Sequence, residues 1–165
     1  MNINASFVVF NVQITCTLVL IGLVVRWYVM PRLRTMHQSD ALVVPLLASS
    51  IRFMGLIFLV PTVTPEMPVE FAVPTAYGDS AAAGLAFAAV IANRMHHKLG
   101  VPLAWLYLVF GGGDLAYGFL QGFRYGLWDH LAGGWTYVVW GASLVIVGLC
   151  TTLLLLVRPN AAKAA

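Results

Sequence analysis

Charge is what this chain has least of. Only 9% of its 165 residues are Asp, Glu, Lys or Arg, where a soluble domain uses about a quarter. Too few water-compatible groups exist to cover a globule. That excludes a soluble globular enzyme, a disordered chain and a nucleic-acid-binding module. Cysteine is scarce as well, with Cys16 and Cys150 the two present. Both fall inside long apolar runs, at predicted depths of about 15 and about 24 Å from one edge at helical rise. A disulfide needs Cα atoms within about 7 Å, so both are expected to be packing residues. Catalytic signatures are absent too. There is no Gly-x-Ser-x-Gly and no His-Glu-x-x-His, and Gly111-Gly112-Gly113 is not followed by the Gly-Lys-Ser/Thr of a phosphate loop.

What the chain has in abundance is apolar surface: 61% hydrophobic residues and a mean hydropathy of +0.88. A helix needs about 20 mostly apolar residues to cross a hydrocarbon core about 30 Å thick. Five segments qualify, at about 6–25, 42–60, 72–92, 101–122 and 134–157. They are far longer than a barrel strand and lack strict alternation, so helices are predicted. Aromatic residues cluster near the predicted ends, among them Trp27, Tyr28, Trp105, Tyr125, Trp128 and Trp135, as membrane interfaces favour. No Lys or Arg precedes the first run and no small-residue cleavage site follows it, so it is expected to be an anchor, not a signal peptide.

The basic residues give an orientation. Arg26, Arg32 and Arg34 follow span one, Arg94 and Lys98 follow span three, and Arg158 and Lys163 follow span five. The opposite loops hold Glu66, Glu70 and Asp129 against Arg124. The positive-inside rule then predicts the N-terminus outside and the C-terminus cytoplasmic. The expected fold is a single all-α transmembrane domain over 1–165, a polytopic bundle of five transmembrane helices.

Three charges lie where charge is expensive. Arg52 is in the middle of span two, Asp79 in span three and Asp114 in span four. An ionised residue at a bilayer centre costs about 2.5–3.5 kcal/mol on insertion scales. Counting rises places Arg52 about 15 Å and Asp114 about 18 Å from the inner edge, and Asp79 about 10 Å from the outer one. The expectation is one buried cluster, with Arg52 between Asp79 and Asp114. Two readings stand: a structural ion pair that fixes helix registry, or a site for a proton, an ion or a polar headgroup.

Glycines gather around these charges. Gly78-Asp79-Ser80-Ala81 and Gly113-Asp114-Leu115-Ala116 echo one another. A glycine beside a buried Asp admits a close neighbour, and the triple glycine before Asp114 could loosen span four, as in transporters with broken helices. Gly118, Gly122 and Gly126 recur every four residues, and Gly134, Gly141 and Gly148 every seven. Small residues at helical spacing predict packing faces, within the chain or between chains. The loop from Pro61 to Pro74 carries four prolines, so it is expected to be stiff. It is either a cap over the charged layer or a rigid connector.

The pattern Arg52-x-x-Gly55-x-x-Phe58-Leu59, then Met67-Pro68-x-x-Phe71-Ala72-x-Pro74, then Gly78-Asp79 and Asp114-Leu115 resembles an uncharacterised family of small bacterial polytopic integral membrane proteins. The resemblance covers spans two to four. Where the family has Leu-Pro and Pro-Ala-x-x-Gly-Asp, this chain has Met67-Pro68 and Pro74-Thr75-Ala76-Tyr77-Gly78-Asp79. The resemblance implies a bacterial inner-membrane protein and no particular activity.

His37, His96, His97 and His130 fall in predicted loops, whereas a membrane haem needs ligands on facing helices. No cofactor is therefore expected. Met36-His37 and Met95-His96-His97 share one side, and sulfur with imidazole suits copper. Solvated loop histidines are far commoner, so no metal is expected either. Asn11, Gln13 and Thr15 could hydrogen-bond between helices. Arg52, Asp79 and Asp114 are thus expected to bind or conduct a small polar ligand, an ion or a proton. One alternative is an accessory or assembly subunit of a larger membrane complex. Another is an intramembrane enzyme acting on a lipid-soluble substrate, which has least support. Expected partners are the lipid bilayer and, through the glycine faces, further copies or other membrane subunits, without nucleic acid.

Overall fold

The computed structural model describes residues 4–158. Lys163, which entered the reading of the basic side, lies outside the described residues. Five helices are long and apolar enough to cross a membrane: α1 (Ala5–Thr35), α2 (Gln38–Leu59), α3 (Val69–Arg94), α4 (Gly100–Tyr125) and α5 (Ala132–Leu156). There is no strand among the described residues. A helix satisfies every interior backbone donor and acceptor within its own segment, which is what a hydrocarbon surrounding requires.

The helices overrun the apolar runs that predict them. α1 continues beyond Val25 through a π turn at Val25–Val29 to Thr35, just where Pro31 removes a backbone donor. α3 begins at Val69 and takes in Pro74. Nothing in an interfacial layer forces a helix to stop where hydropathy falls.

α3 is central. It lies along α4 and along the second half of α2, while the first half of α2 packs on both α3 and α5. α1 sits at the periphery, mainly against α5. Two apolar clusters fill the interior. One holds Leu33, Leu42, Leu46, Ala82, Ala86, Ala89, Ala104 and Leu149. The other holds Phe10, Ile14, Phe58, Phe71, Leu131 and Val139. The alanines bring α3 close to its neighbours, since without water between helices close packing is the main attraction. Along α2, α3 and α4, the residue between the clusters is Arg52, Asp79 or Asp114 respectively.

Outward faces carry large apolar side chains such as Val12, Leu20, Val109, Leu120 and Leu154, a surface suited to lipid. Cys16 and Cys150 belong to this outer face and are exposed free thiols. The expectation that they pack inside is therefore corrected: both point away from the core side of α1 and α5.

Both ends of the bundle are laced. At one, the Asn4 side chain donates to both Asp129 oxygens at 3.0 and 2.9 Å, and Trp135 Nε1 donates to Gln13 of α1. Asn11 instead bonds Phe7 O of its own helix. At the other end, Arg158 donates to the carbonyls of Leu33, Arg34 and Met36, and Gln38 to Leu155 O. The proline loop folds onto the start of α5, where Gly133 and Gly134 lie against Val63 and Thr64.

Candidate functional site

Halfway along α2 the backbone changes character. Gln38–Ser49 is α-helical and Ser50–Leu59 is a 3₁₀ helix of ten residues, long for a form that rarely exceeds three or four. At the junction Ser49 Oγ donates to Pro45 O at 2.8 Å and Ser50 Oγ to Leu46 O at 3.0 Å. Such serine bonds compete for the carbonyls that an α-helix would use. With three residues per turn, side chains three apart line up. Ser49, Arg52, Gly55 and Phe58 are all buried. The 3₁₀ form thus holds one straight inward row from the serine to the phenylalanine, with the guanidinium in it.

Arg52 is 1% exposed, and each of its nitrogens is engaged. Nε donates to Asp79 Oδ1 at 2.8 Å, Nη1 to Gly111 O at 2.7 Å, and Nη2 to the Asp114 carboxylate. The three charges that the sequence placed on three helices therefore occupy one point. Charge-assisted bonds of this kind are the stronger class, and opposite charges offset the desolvation that each would suffer alone. With both acids ionised the cluster carries one net negative charge.

Bare backbone makes the cluster possible. A Cβ on Gly55 would lie 2.4 Å from Asp79 Oδ2, one on Gly78 would overlap Asp114 Oδ1, and one on Gly111 would lie 3.2 Å from Arg52 Nη1. Each of the three helices thus supplies a charged residue and a glycine that admits another helix's charged group. Of the two echoed glycines, Gly78 does this and Gly113 does not, because Gly113 faces open space. Nor does the triple glycine break α4, which runs unbroken from Gly100 to Tyr125. The irregular backbone is on α2.

The six glycines expected on packing faces serve different ends. Gly148 is a close helix contact: a Cβ there would meet Ser49 Oγ at 2.6 Å and Pro45 O at 3.3 Å on α2. Gly122 lies under Leu127, Gly134 against Thr64, and Gly141 under the Tyr137 ring of its own helix. Gly126 caps α4 in the left-handed conformation at φ 63°, a place where glycine is favoured because it has no Cβ. Gly118 makes no close contact within the chain, since a Cβ there meets nothing within 4 Å.

The space beside Gly118 is a cavity of about 110 Å³ whose lining includes Arg52, Asp79 and Asp114. Its other walls are mostly apolar and aromatic, including Phe58, Phe71, Phe119, Phe123, Trp128 and Tyr137. Wall residues from α1, α4 and α5 lie toward the Asn4 end, and Leu127 and Trp128 of the short turn after α4 complete that side. Of the proline-rich stretch only Phe71, already within α3, is among the lining residues; residues 61–68 are not part of the lining. α5 contributes a π turn at Val138–Ala142 to the wall. Thr75 also lines the cavity, and its buried hydroxyl has no hydrogen-bond partner. The Tyr107 hydroxyl is likewise buried and unpartnered, and its ring lies against Gly111.

Sequence reasoning placed the charges and missed Thr75, Tyr107, Gly55 and the aromatic wall. The Ser49-Arg52-Gly55-Phe58 spacing of three was the available signal for α2. Thr75 and Tyr107 look like ordinary span residues until neighbouring helices surround them.

The loop histidines meet in part. Donor atoms of His37, Asp40 and His96 all lie within 4.8 Å of one another, the one such set among the described residues. Asp40 already pairs there with Arg94 at 3.6 Å, and His37 Nδ1 accepts from Ser39 N.

The chain matches, over residues 9–158, the family described as "Domain of unknown function (DUF8737)". It belongs to that family. No curated protein and no solved structure matches it.

Proposed function

We propose that this protein binds a small cationic molecule with an apolar body in the cavity above Arg52, Asp79 and Asp114. The observation that carries the reading is a cavity with aromatic walls and a charged floor, whose one cation is already saturated. Arg52 spends its donors on Asp79, Asp114 and Gly111. What the floor offers a guest is carboxylate oxygen and, with both acids ionised, one net negative charge. Aromatic faces attract cations as well, and the free Thr75 hydroxyl supplies a further polar contact. The neighbouring apolar cluster of Leu42, Leu46, Ala82, Ala86 and Leu149 closes the bundle beyond the charged layer. Binding, not passage through the bundle, therefore fits this conformation.

The setting is proposed as a bacterial inner membrane, N-terminus outside and C-terminus cytoplasmic. The end that carries Arg26, Arg32, Arg34, Arg94, Lys98 and Arg158 would face the cytoplasm, in keeping with the positive-inside rule. The full engagement of Arg52 favours a second reading, in which the cluster only fixes registry and the protein is an assembly subunit.

Calorimetric titration with benzylammonium in nanodiscs separates the two. Binding is expected with a Kd of about 1 mM or tighter, about half a kcal/mol per non-hydrogen atom. It should be lost in Gly118→Phe, which fills the cavity, and weakened in Asp114→Asn. Absence of binding, or binding unchanged in Gly118→Phe, would leave the registry reading.

A further inference from the structure

A second concavity lies on the opposite, basic half of the molecule, between α1 and α5. Its volume is about 500 Å³, and it is lined by Gly22, Val25, Arg26, Met30, Pro31 and Arg34 of α1 and by Ile146, Val147, Cys150, Thr151 and Leu154 of α5. Both helices run toward the basic end, so the groove follows their length. Gly22 to Arg34 spans thirteen residues, about 18 Å of helix. The end nearer the bundle's middle, at Gly22, Val25, Ile146, Val147 and Cys150, is apolar. Arg26 and Arg34 lie toward the basic end.

Three features describe the occupant. The Gly22 position is open, with nothing within 4 Å of a built Cβ, so an alkyl chain can lie against α1 there. The side chains of Arg26 and Arg34 make no ion pair or hydrogen bond among the described residues, although the groove they line is otherwise nearly uncharged. Trp27 and Tyr28, each 61% exposed, stand at the level of Arg26, and such residues settle at the headgroup layer. The groove therefore places Arg26 at the headgroup level, Arg34 about 12 Å further along α1 with a long side chain that leans back toward it, and an apolar trough at the depth of acyl chains.

We propose that this groove is a binding site for an anionic phospholipid, its phosphate held between Arg26 and Arg34 and one acyl chain lying along Gly22, Val147 and Cys150. A zwitterionic lipid of the same chains satisfies the trough but brings a choline beside the arginines. An anionic one brings net charge of the complementary sign, and each basic residue near the surface contributes about a fivefold preference.

The test is native mass spectrometry of the detergent-solubilised protein with phosphatidylglycerol or phosphatidylcholine of identical chains. About fivefold or greater retention of phosphatidylglycerol is expected for the wild type. The preference should be lost in Arg26→Gln/Arg34→Gln and kept in Arg32→Gln, because Arg32 turns back to Tyr28 O and does not line the groove. Cys150 gives a second readout in a Cys16→Ser background. Phosphatidylglycerol nanodiscs should slow its labelling by an apolar maleimide relative to phosphatidylcholine ones, and the double variant should abolish the difference. Equal retention of the two lipids would overturn the site. So would a loss in Arg32→Gln as large as in the double variant, which would mean diffuse attraction to a basic surface.

Discussion

The guanidinium of Arg52 is the residue on which the interior depends. Arg52→Leu leaves two carboxylates buried without a partner and frees the carbonyl of Gly111. Breaking a buried pair from one side costs about 3–5 kcal/mol. A large fall in thermal midpoint in detergent is expected, partly recovered in Arg52→Leu/Asp79→Asn/Asp114→Asn, where no unpaired charge remains. An unchanged midpoint in the single variant would contradict the pairing. The glycines give a finer test. Gly78→Ala drives a methyl into the Asp114 carboxylate, and overpacking of this kind costs about 1–3 kcal/mol. Gly113→Ala, next to Asp114 but facing open space, should leave chemical-denaturation midpoints unchanged. The sequence could not separate these two glycines, because both precede an aspartate. Which of them faces a neighbour is decided by the rotation of α3 against α4.

Among the elements, α2 carries most of what hydropathy could not show. Its span was legible from composition, and so was the depth of Arg52, since counting residues needs only the helical rise. The 3₁₀ stretch was not. It follows from two serine back-bonds below Arg52 and from packing on α3, and it aligns Ser49, Arg52, Gly55 and Phe58 on one face. Gly148 of α5 meets α2 at this junction. Gly148→Ala pushes on Ser49 Oγ and on the backbone at Pro45, so it should destabilise the bundle by about 1–3 kcal/mol. Gly84→Ala, which meets nothing within 4 Å, should be neutral or slightly stabilising because alanine favours helix. Parallel melts of the two variants check the pair. The cavity wall was illegible for a related reason. Phe58, Phe71, Phe119 and Trp128 are scattered along four segments of the chain, and aromatic residues signal apolarity without saying which of them will face a void.

For the whole molecule, the shortage of charge was sufficient to give five helices, and Arg26, Arg32, Arg34, Arg94, Lys98 and Arg158 gather at one end, with Arg124 at the other. The cysteines show the limit of that reasoning. A thiol inside a span can face the core or lipid, and hydropathy cannot distinguish them in a helix apolar all round. Cys16 and Cys150 face outward. In intact proteoliposomes both should react with an apolar maleimide and resist a charged one, with no disulfide under oxidation. Reaction with the charged reagent at Cys16 would place α1 in water and contradict the membrane bundle.

The central claim is that the aromatic cavity over the Arg52 cluster receives a cationic guest. A crystal structure grown in lipidic mesophase with 4-bromobenzylammonium tests it most directly, because bromine is located by its anomalous signal. The predicted peak lies between Thr75 and Gly118, with the ammonium turned toward Asp114 and Arg52 still bound to both aspartates. Bromine found only on lipid-facing surfaces, with side chains collapsed into the cavity, would contradict the account.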